Sequence, residues 1–200
     1  ESLRKSGKNK KTILFLSQII PIKGLDRLFR VVSDIGVNNF SDWEFLIAGY
    51  GDIHYINALK ALAKELNISQ LVKFVGTKFG NDKIEIFDNA DVFILPTFNE
   101  NFGIVVAESL ARGVPVLTTK GAPWNELTTN KCGFWVDNSD DGIKDGLLQI
   151  LSASENELLT MGKNGRRLVG DKYLWRENAK STIELYEWVL TGNNKPNFII

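Results

Sequence analysis

The sequence predicts an α/β fold built on a doubly wound parallel sheet of about six strands. Three observations carry that reading. Short runs such as residues 92–95 (VFIL) are apolar throughout, so they must be covered on both faces. Longer segments between them repeat their apolar residues at helical spacing. Strands separated by helices pair in parallel, with helices above and below the sheet. The chain has 200 residues, 44% apolar and 24% charged, which is the composition of one soluble globular domain with a real core.

The elements follow in order. Residues 1–11 carry Arg4, Lys5, Lys8, Lys10 and Lys11 among Ser, Gly and Asn, the composition of a solvated linker or, as the alternative, of a membrane-surface contact. Residues 12–17 (TILFLS) read as a buried strand. Residues 24–35 read as a helix with Leu25, Leu28, Phe29 and Val32 on one face. A strand over 43–49, a helix over 55–66, a strand over 72–75 and a short helix over 83–89 come next. The strand at 92–95 is stopped by Pro96. A helix over 104–112 and strands over 114–118 and 134–136 precede three helices over 142–151, 155–170 and 176–190. The five tryptophans, Trp43, Trp124, Trp135, Trp175 and Trp188, read as packing residues.

Charge and composition exclude several functions. The 24 basic and 24 acidic side chains cancel, so no overall field draws the chain to nucleic acid. An anion must be gripped locally. Cys132 is the single cysteine and His54 the single histidine, which excludes a disulfide framework and disfavours a Cys- or His-based metal site. His54 reads as a capping or surface residue. No Asp-x-Asp pair occurs, so no metal is expected to bridge protein and diphosphate. Apolar runs fall far short of the roughly 20 residues that span a bilayer, and a cytoplasmic location is expected. The chain opens on Glu1 in a polar stretch, and is expected to be a piece of a longer protein.

In doubly wound sheets ligands bind beyond the carboxyl ends of the strands, which directs attention to the loops there. The first, residues 18–24 (QIIPIKG), puts Lys23 and Gly24 at a helix start, where backbone N–H groups and the helix dipole favour an anion. Lys23 reads as a phosphate ligand or as a solvated lysine. The second, residues 49–52 (GYGD), lets backbone approach a ligand at Gly49, although turn chemistry explains it equally well. The first loop lacks the glycine cluster of a dinucleotide fingerprint, so a nicotinamide enzyme is disfavoured.

The fourth loop, residues 96–108 (PTFNENFGIVVAE), carries most information. Gly103 lets a ligand press against the N–H groups of a helix start, a natural seat for a diphosphate. Glu100 lies before that helix and Glu108 within it, so the two carboxylates are spaced along a ligand rather than facing each other. A carboxylate accepts hydrogen bonds from neighbouring hydroxyls, so each suits a diol. The plainer readings are a helix-dipole partner for Glu100 and a surface charge for Glu108. The fifth loop, residues 119–126 (TKGAPWNE), adds Trp124, read as a core anchor before a stacking platform, and the carboxylate of Glu126.

From about residue 12 to the end, these stretches resemble the donor-binding C-terminal domain of group 1 (family 4) glycosyltransferases, a Rossmann-like half of the GT-B fold. The strongest part is PTFNENFGIVVAESLARGVPVLTTKGAPWNEL, residues 96–127, which contains the family's E-x7-E signature as Glu100 and Glu108. FLSQIIPIKGLDRL and the terminal GRRLVGDKYLWRENAKSTIELYEWVL also resemble it. The terminal segment looks like the family helices that pack this domain and cross back to the N-terminal half.

The resemblance implies a retaining transferase that moves a sugar from a UDP-, GDP- or ADP-sugar to a saccharide or lipid-linked acceptor, often in surface polysaccharide or lipopolysaccharide synthesis. It implies no resident cofactor, the nucleotide sugar being substrate, and an acceptor domain outside residues 12–200. The full-length protein would work in the cytoplasm, with peripheral contact to the inner face of the membrane. By position, Lys23 would bind the diphosphate, Glu100 the sugar hydroxyls and Glu108 the ribose, with Lys23 and Glu100 as the catalytic pair. Gly24, Gly49, Asn101, Phe102, Gly103 and Ile104 would line the donor, and Lys78 and Phe79 would lie in the base loop. Where the family usually has Arg, five positions before the lysine, this chain has Gln18. One cationic phosphate clamp is therefore replaced by a neutral donor.

Overall fold

The fold is that of a computed structural model, which describes residues 10–199. The expected linker lies mostly on residues 1–9, outside the described residues, and Lys11 already belongs to the first strand. The strands are β1 (Lys11–Leu16), β2 (Trp43–Ala48), β3 (Val72–Gly76), β4 (Val92–Leu95), β5 (Val116–Thr119) and β6 (Gly133–Val136). They form one six-stranded sheet in the order β3-β2-β1-β4-β5-β6, paired in parallel throughout. The helices are α1 (Leu25–Ile35), α2 (Ile53–Glu65), α3 (Gly80–Asp88), α4 (Ile104–Ala111), α5 (Glu126–Thr129), α6 (Asp140–Ser152), α7 (Glu155–Lys172) and α8 (Trp175–Thr191). The doubly wound α/β expectation is met.

Strand order decides where a ligand can sit. From β1 the sheet is extended outward through β2 and β3, then the chain returns to place β4 on the other side of β1 and continues to β5 and β6. Right-handed crossovers running in opposite directions put α1 and α4 on opposite faces. The switch point is the seam between β1 and β4, where Ile13 pairs with Val92 and Leu14 with Phe93. All four of those side chains are fully buried, as apolar runs covered on both faces must be. The loops leaving β1 and β4 therefore emerge side by side, with residues 17–24 next to residues 96–103.

Differences from the expected elements have local causes. Asp52 accepts hydrogen bonds from the N–H groups of His54 and Tyr55, so α2 starts earlier than the apolar pattern indicates. His54 is exposed in the first turn. β5 begins at Val116 rather than at residue 114, because Pro115 has no N–H and enters only through its carbonyl, which accepts from Phe93. The turns Pro21–Lys23 and Val37–Phe40 and the four-residue α5 are too short to show a period. Ser154 and Glu157 form a reciprocal capping box that starts α7 where expected.

Packing roles are mostly as read. Trp124 is fully buried and Trp43 nearly so, while Trp135 packs against the core. Two depart from that reading: Trp175 is 83% exposed at the start of α8, and Trp188 of the same helix is half-buried and outside the core. That helix contributes no buried residue and presents Ile183, Tyr186, Val189 and Leu190 as exposed apolar side chains. Burial pushes the Cys132 thiol up to about 11, which leaves it protonated and unreactive near neutral pH. Among the described residues no helix is long and apolar enough to cross a membrane.

Candidate functional site

The two loops at the switch point are stitched together. The Ile22 carbonyl accepts from the Phe98 N–H at 2.8 Å and from the Thr97 hydroxyl at 3.0 Å. Gly24 ends the turn Pro21–Lys23 and caps α1 with φ at 71°, so close to the fourth loop that a methyl group there would lie 2.1 Å from the Pro96 carbonyl oxygen. That approach brings Lys23 Nζ onto the Glu100 carboxylate as an ion pair, with both side chains largely buried. Two residues 77 positions apart in sequence are thus joined by the strand order.

Arg27 locks the arrangement from beneath. Its Nε and Nη2 donate to the Pro96 carbonyl at 3.1 and 2.8 Å, and Nη2 also donates to the Thr97 carbonyl at 3.2 Å and to Asn138 Oδ1 at 2.7 Å. The guanidinium carbon stands 3.9 Å from the centroid of the Phe98 ring. Burial pulls the guanidinium below its ordinary value, opposed by the charges of Asp140 and Asp26. Arg27→Met should leave the Pro96 and Thr97 carbonyls without their charged donor and destabilise the fold by about 2 to 4 kcal/mol. For a chain of this size that lowers Tm by about 4 to 16 °C, measurable by thermal unfolding. An unchanged Tm would contradict the locking role.

The start of α4 lies beside Glu100, a methyl group on Gly103 falling 3.1 Å from its Cγ. Gly103 is the N-cap of α4, with φ at 76° and ψ at 63°, and its carbonyl accepts from the Val106 N–H at 2.8 Å. The first N–H groups of a helix have no partner within it, and here they follow Asn101 and Phe102, both exposed. Ile104 is exposed as well. Glu108 lies one turn further into α4, where Oε1 accepts from Lys83 Nζ of α3 at 2.6 Å.

The remaining expected residues lie along the same edge. Gly49 follows β2 and donates to the Gly76 carbonyl at 2.9 Å. Lys78 is half-buried in the connection from β3 to α3, and Phe79 is the exposed N-cap of α3. Gln18 is exposed immediately after β1. Glu126 of the fifth loop turns instead toward α7, where Lys172 Nζ and the Tyr173 hydroxyl both donate to it. Desolvation raises its carboxyl, but those two hydrogen bonds and the Lys172 charge outweigh it and hold the group below the usual carboxylate range.

Both carboxylates of the E-x7-E spacing therefore carry a lysine. Lys23 orients Glu100 and Lys83 orients Glu108, on either side of a helix start. Each pair leaves acceptor capacity for hydroxyl groups on its carboxylate while offering a cation to a neighbouring anion. The reading from sequence lacked Lys83 and Arg27. Lys83 is one of several charges on a short polar helix, and nothing but burial separates Arg27 from exposed Arg30.

The family model for glycosyl transferases group 1 matches residues 1–168. An uncharacterized glycosyltransferase of Methanocaldococcus jannaschii is 30% identical over 182 residues, covering 90% of this chain and 45% of that protein. A GDP-mannose-dependent monoacylated alpha-(1-6)-phosphatidylinositol monomannoside mannosyltransferase of Corynebacterium glutamicum is 33% identical over 169 residues, covering 80% of this chain and 42% of that protein. The crystal structure of the C-terminal domain of a group 1 glycosyl transferase from Francisella tularensis has a TM-score of 0.71 at 21% identity, covering 82% of this chain and 87% of that one. The chain spans less than half the length of either curated relative. Sequence match and shared fold agree with the E-x7-E resemblance, and the chain belongs to the group 1 glycosyl transferases.

Proposed function

We propose that the chain is the donor-binding half of a retaining glycosyltransferase, which takes a sugar from a nucleotide diphosphate to a saccharide or lipid-linked acceptor in surface-glycan synthesis. The observation that carries the reading is the meeting of Lys23 and Glu100 at the β1/β4 switch point, beside the start of α4. Lys23 and the N–H groups of residues 102–104 receive the diphosphate, Glu100 the sugar hydroxyls and Glu108 the ribose. The base lies against residues 76–79. The nucleotide sugar is substrate and not a resident cofactor, and the acceptor is held by a domain outside this chain. The protein works in the cytoplasm, at the inner face of the membrane. The GDP-mannose dependence of the Corynebacterium glutamicum relative makes GDP-mannose the first donor to try.

In the transfer step the bond from the anomeric carbon to the diphosphate oxygen breaks as the bond to the acceptor oxygen forms on the same face of the sugar. The departing phosphate takes the acceptor proton. Charge builds on the diphosphate, and Lys23 with the α4 start stabilises it where it develops. The test is to incubate the intact protein with UDP-, GDP- and ADP-sugars and acceptor, and to read nucleotide release and product anomer by NMR. A product with the donor's anomeric configuration is expected, and an inverted product contradicts the mechanism.

A second reading, a nucleotide-sugar binding module without turnover, is favoured by Gln18, which brings no charge to the phosphate site. Gln18→Arg should tighten diphosphate binding in a titration, with a gain that shrinks as salt screens the added charge. No change at any ionic strength would mean that residue 18 does not face the phosphates.

A further inference from the structure

The fully buried indole of Trp124 donates its Nε1–H to the carbonyl oxygen of Phe102. A trans peptide is planar, with C=O and N–H pointing in opposite directions, so a fixed Phe102 carbonyl also fixes the direction of the Gly103 N–H. That N–H opens the α4 start. Gly103 sits in the left-handed region, and a methyl group placed on it would lie 3.6 Å from Trp124 Nε1, so indole and turn are in close register.

Trp124 is in turn held by Tyr173, the residue that ends α7 immediately before the Leu174 cap of α8. The rings of Phe102, Trp124 and Tyr173 form a closed triangle. Their centroids are 5.1 Å apart for Phe102 and Trp124, 5.6 Å for Phe102 and Tyr173, and 5.2 Å for Trp124 and Tyr173, all in tilted contact. The Tyr173 hydroxyl donates to Glu126, which Lys172 also engages, so the ring is anchored at its far end. A continuous set of contacts thus runs from the α7–α8 junction to the peptide that aims the Gly103 N–H.

We infer that Tyr173 is a positioning residue for the donor diphosphate, acting through Trp124 on the Phe102–Gly103 peptide. The inference rests on the reading of residues 102–104 as the diphosphate seat. Tyr173 touches no substrate. It determines how well an N–H donor is directed, and misdirection is felt by the diphosphate and not by the base, which lies against residues 76–79, or by the ribose, which Glu108 holds a turn further into α4.

The experiment is done on the intact protein with 5-fluorotryptophan in place of tryptophan, the Trp124 resonance being assigned by its loss in Trp124→Phe. Tyr173→Ala is expected to shift the Trp124 fluorine resonance without ligand. It should also weaken binding of whichever of UDP, GDP and ADP binds the wild type by about tenfold, leaving the matching nucleoside unchanged. Tyr173→Phe keeps the ring and should recover affinity to within about threefold of wild type. Glu126→Gln keeps every ring and loosens only the anchor, so it serves if Tyr173→Ala does not fold, with an expected diphosphate loss of about two- to fourfold. Equal loss for diphosphate and nucleoside, or wild-type diphosphate affinity in Tyr173→Ala and Glu126→Gln, overturns the positioning role alone. A wild type that binds none of UDP, GDP and ADP overturns the diphosphate seat, and the positioning role with it.

Discussion

Lys23→Ala is expected to weaken binding of the nucleoside diphosphate about ten- to a hundredfold while leaving the nucleoside within about twofold, since a hydrogen bond to a charged group contributes roughly 1.5 to 3 kcal/mol. The loss has two parts. The ammonium that meets the phosphates is removed, and Glu100 is left largely buried without its cation, which adds repulsion for the incoming anion. Titration of UDP, GDP and ADP against uridine, guanosine and adenosine separates the two ligands. Equal losses for diphosphate and nucleoside would place Lys23 away from the phosphates.

Gly24→Ala should be strongly damaging, because it forces apart the two loops that meet at the switch point. The residue holds φ at 71°, and its new Cβ would lie 2.1 Å from the Pro96 carbonyl oxygen and 3.0 Å from Arg27 Nε. The left-handed conformation costs about 1 to 2 kcal/mol for a residue with a Cβ, and forcing backbone apart adds about 1 to 3, so a destabilisation of about 2 to 5 kcal/mol is expected. Separating the loops also pulls Lys23 from Glu100, so diphosphate affinity should fall in any fraction that stays folded. Gly170→Ala supplies the comparison. That glycine lies within α7 with nothing near its Cβ direction, and alanine there should be neutral or should stabilise by up to about 1 kcal/mol. Thermal unfolding of the pair checks both, and similar Tm values for the two variants would contradict the close approach.

What was legible in the sequence was whatever a period or a composition records. Residues 92–95 read as a buried strand because four consecutive apolar residues end at a proline, and β4 has those bounds. Gly103 reads as a helix start that admits a close neighbour, and resemblance to the family marks Glu100 and Glu108 of the same stretch as its E-x7-E signature. Long-range pairing was not legible. The partnership of Lys23 with Glu100, of Lys83 with Glu108 and of Arg27 with two carbonyls depends on strand order and crossover hand, and leaves no local pattern. Trp175 shows the opposite failure. A tryptophan at helical spacing reads as core, yet no residue of α8 is fully buried. Nothing local separates Glu126 from the other loop carboxylates, because its engagement by Lys172 and the Tyr173 hydroxyl depends on where the end of α7 packs.

Donor binding by this chain is the central claim, and calorimetric titration with GDP-mannose, UDP-glucose, UDP-N-acetylglucosamine and ADP-glucose tests it most directly. The account predicts saturable binding of at least one of them, with one site per chain, and a rise in Tm of several degrees at about 100 times the dissociation constant, where ligand stabilises the fold by about 2.7 kcal/mol. It also predicts that Lys23→Ala abolishes most of that affinity. Absence of heat and of any Tm shift with all four sugar nucleotides, in wild-type protein that unfolds cooperatively, would contradict it.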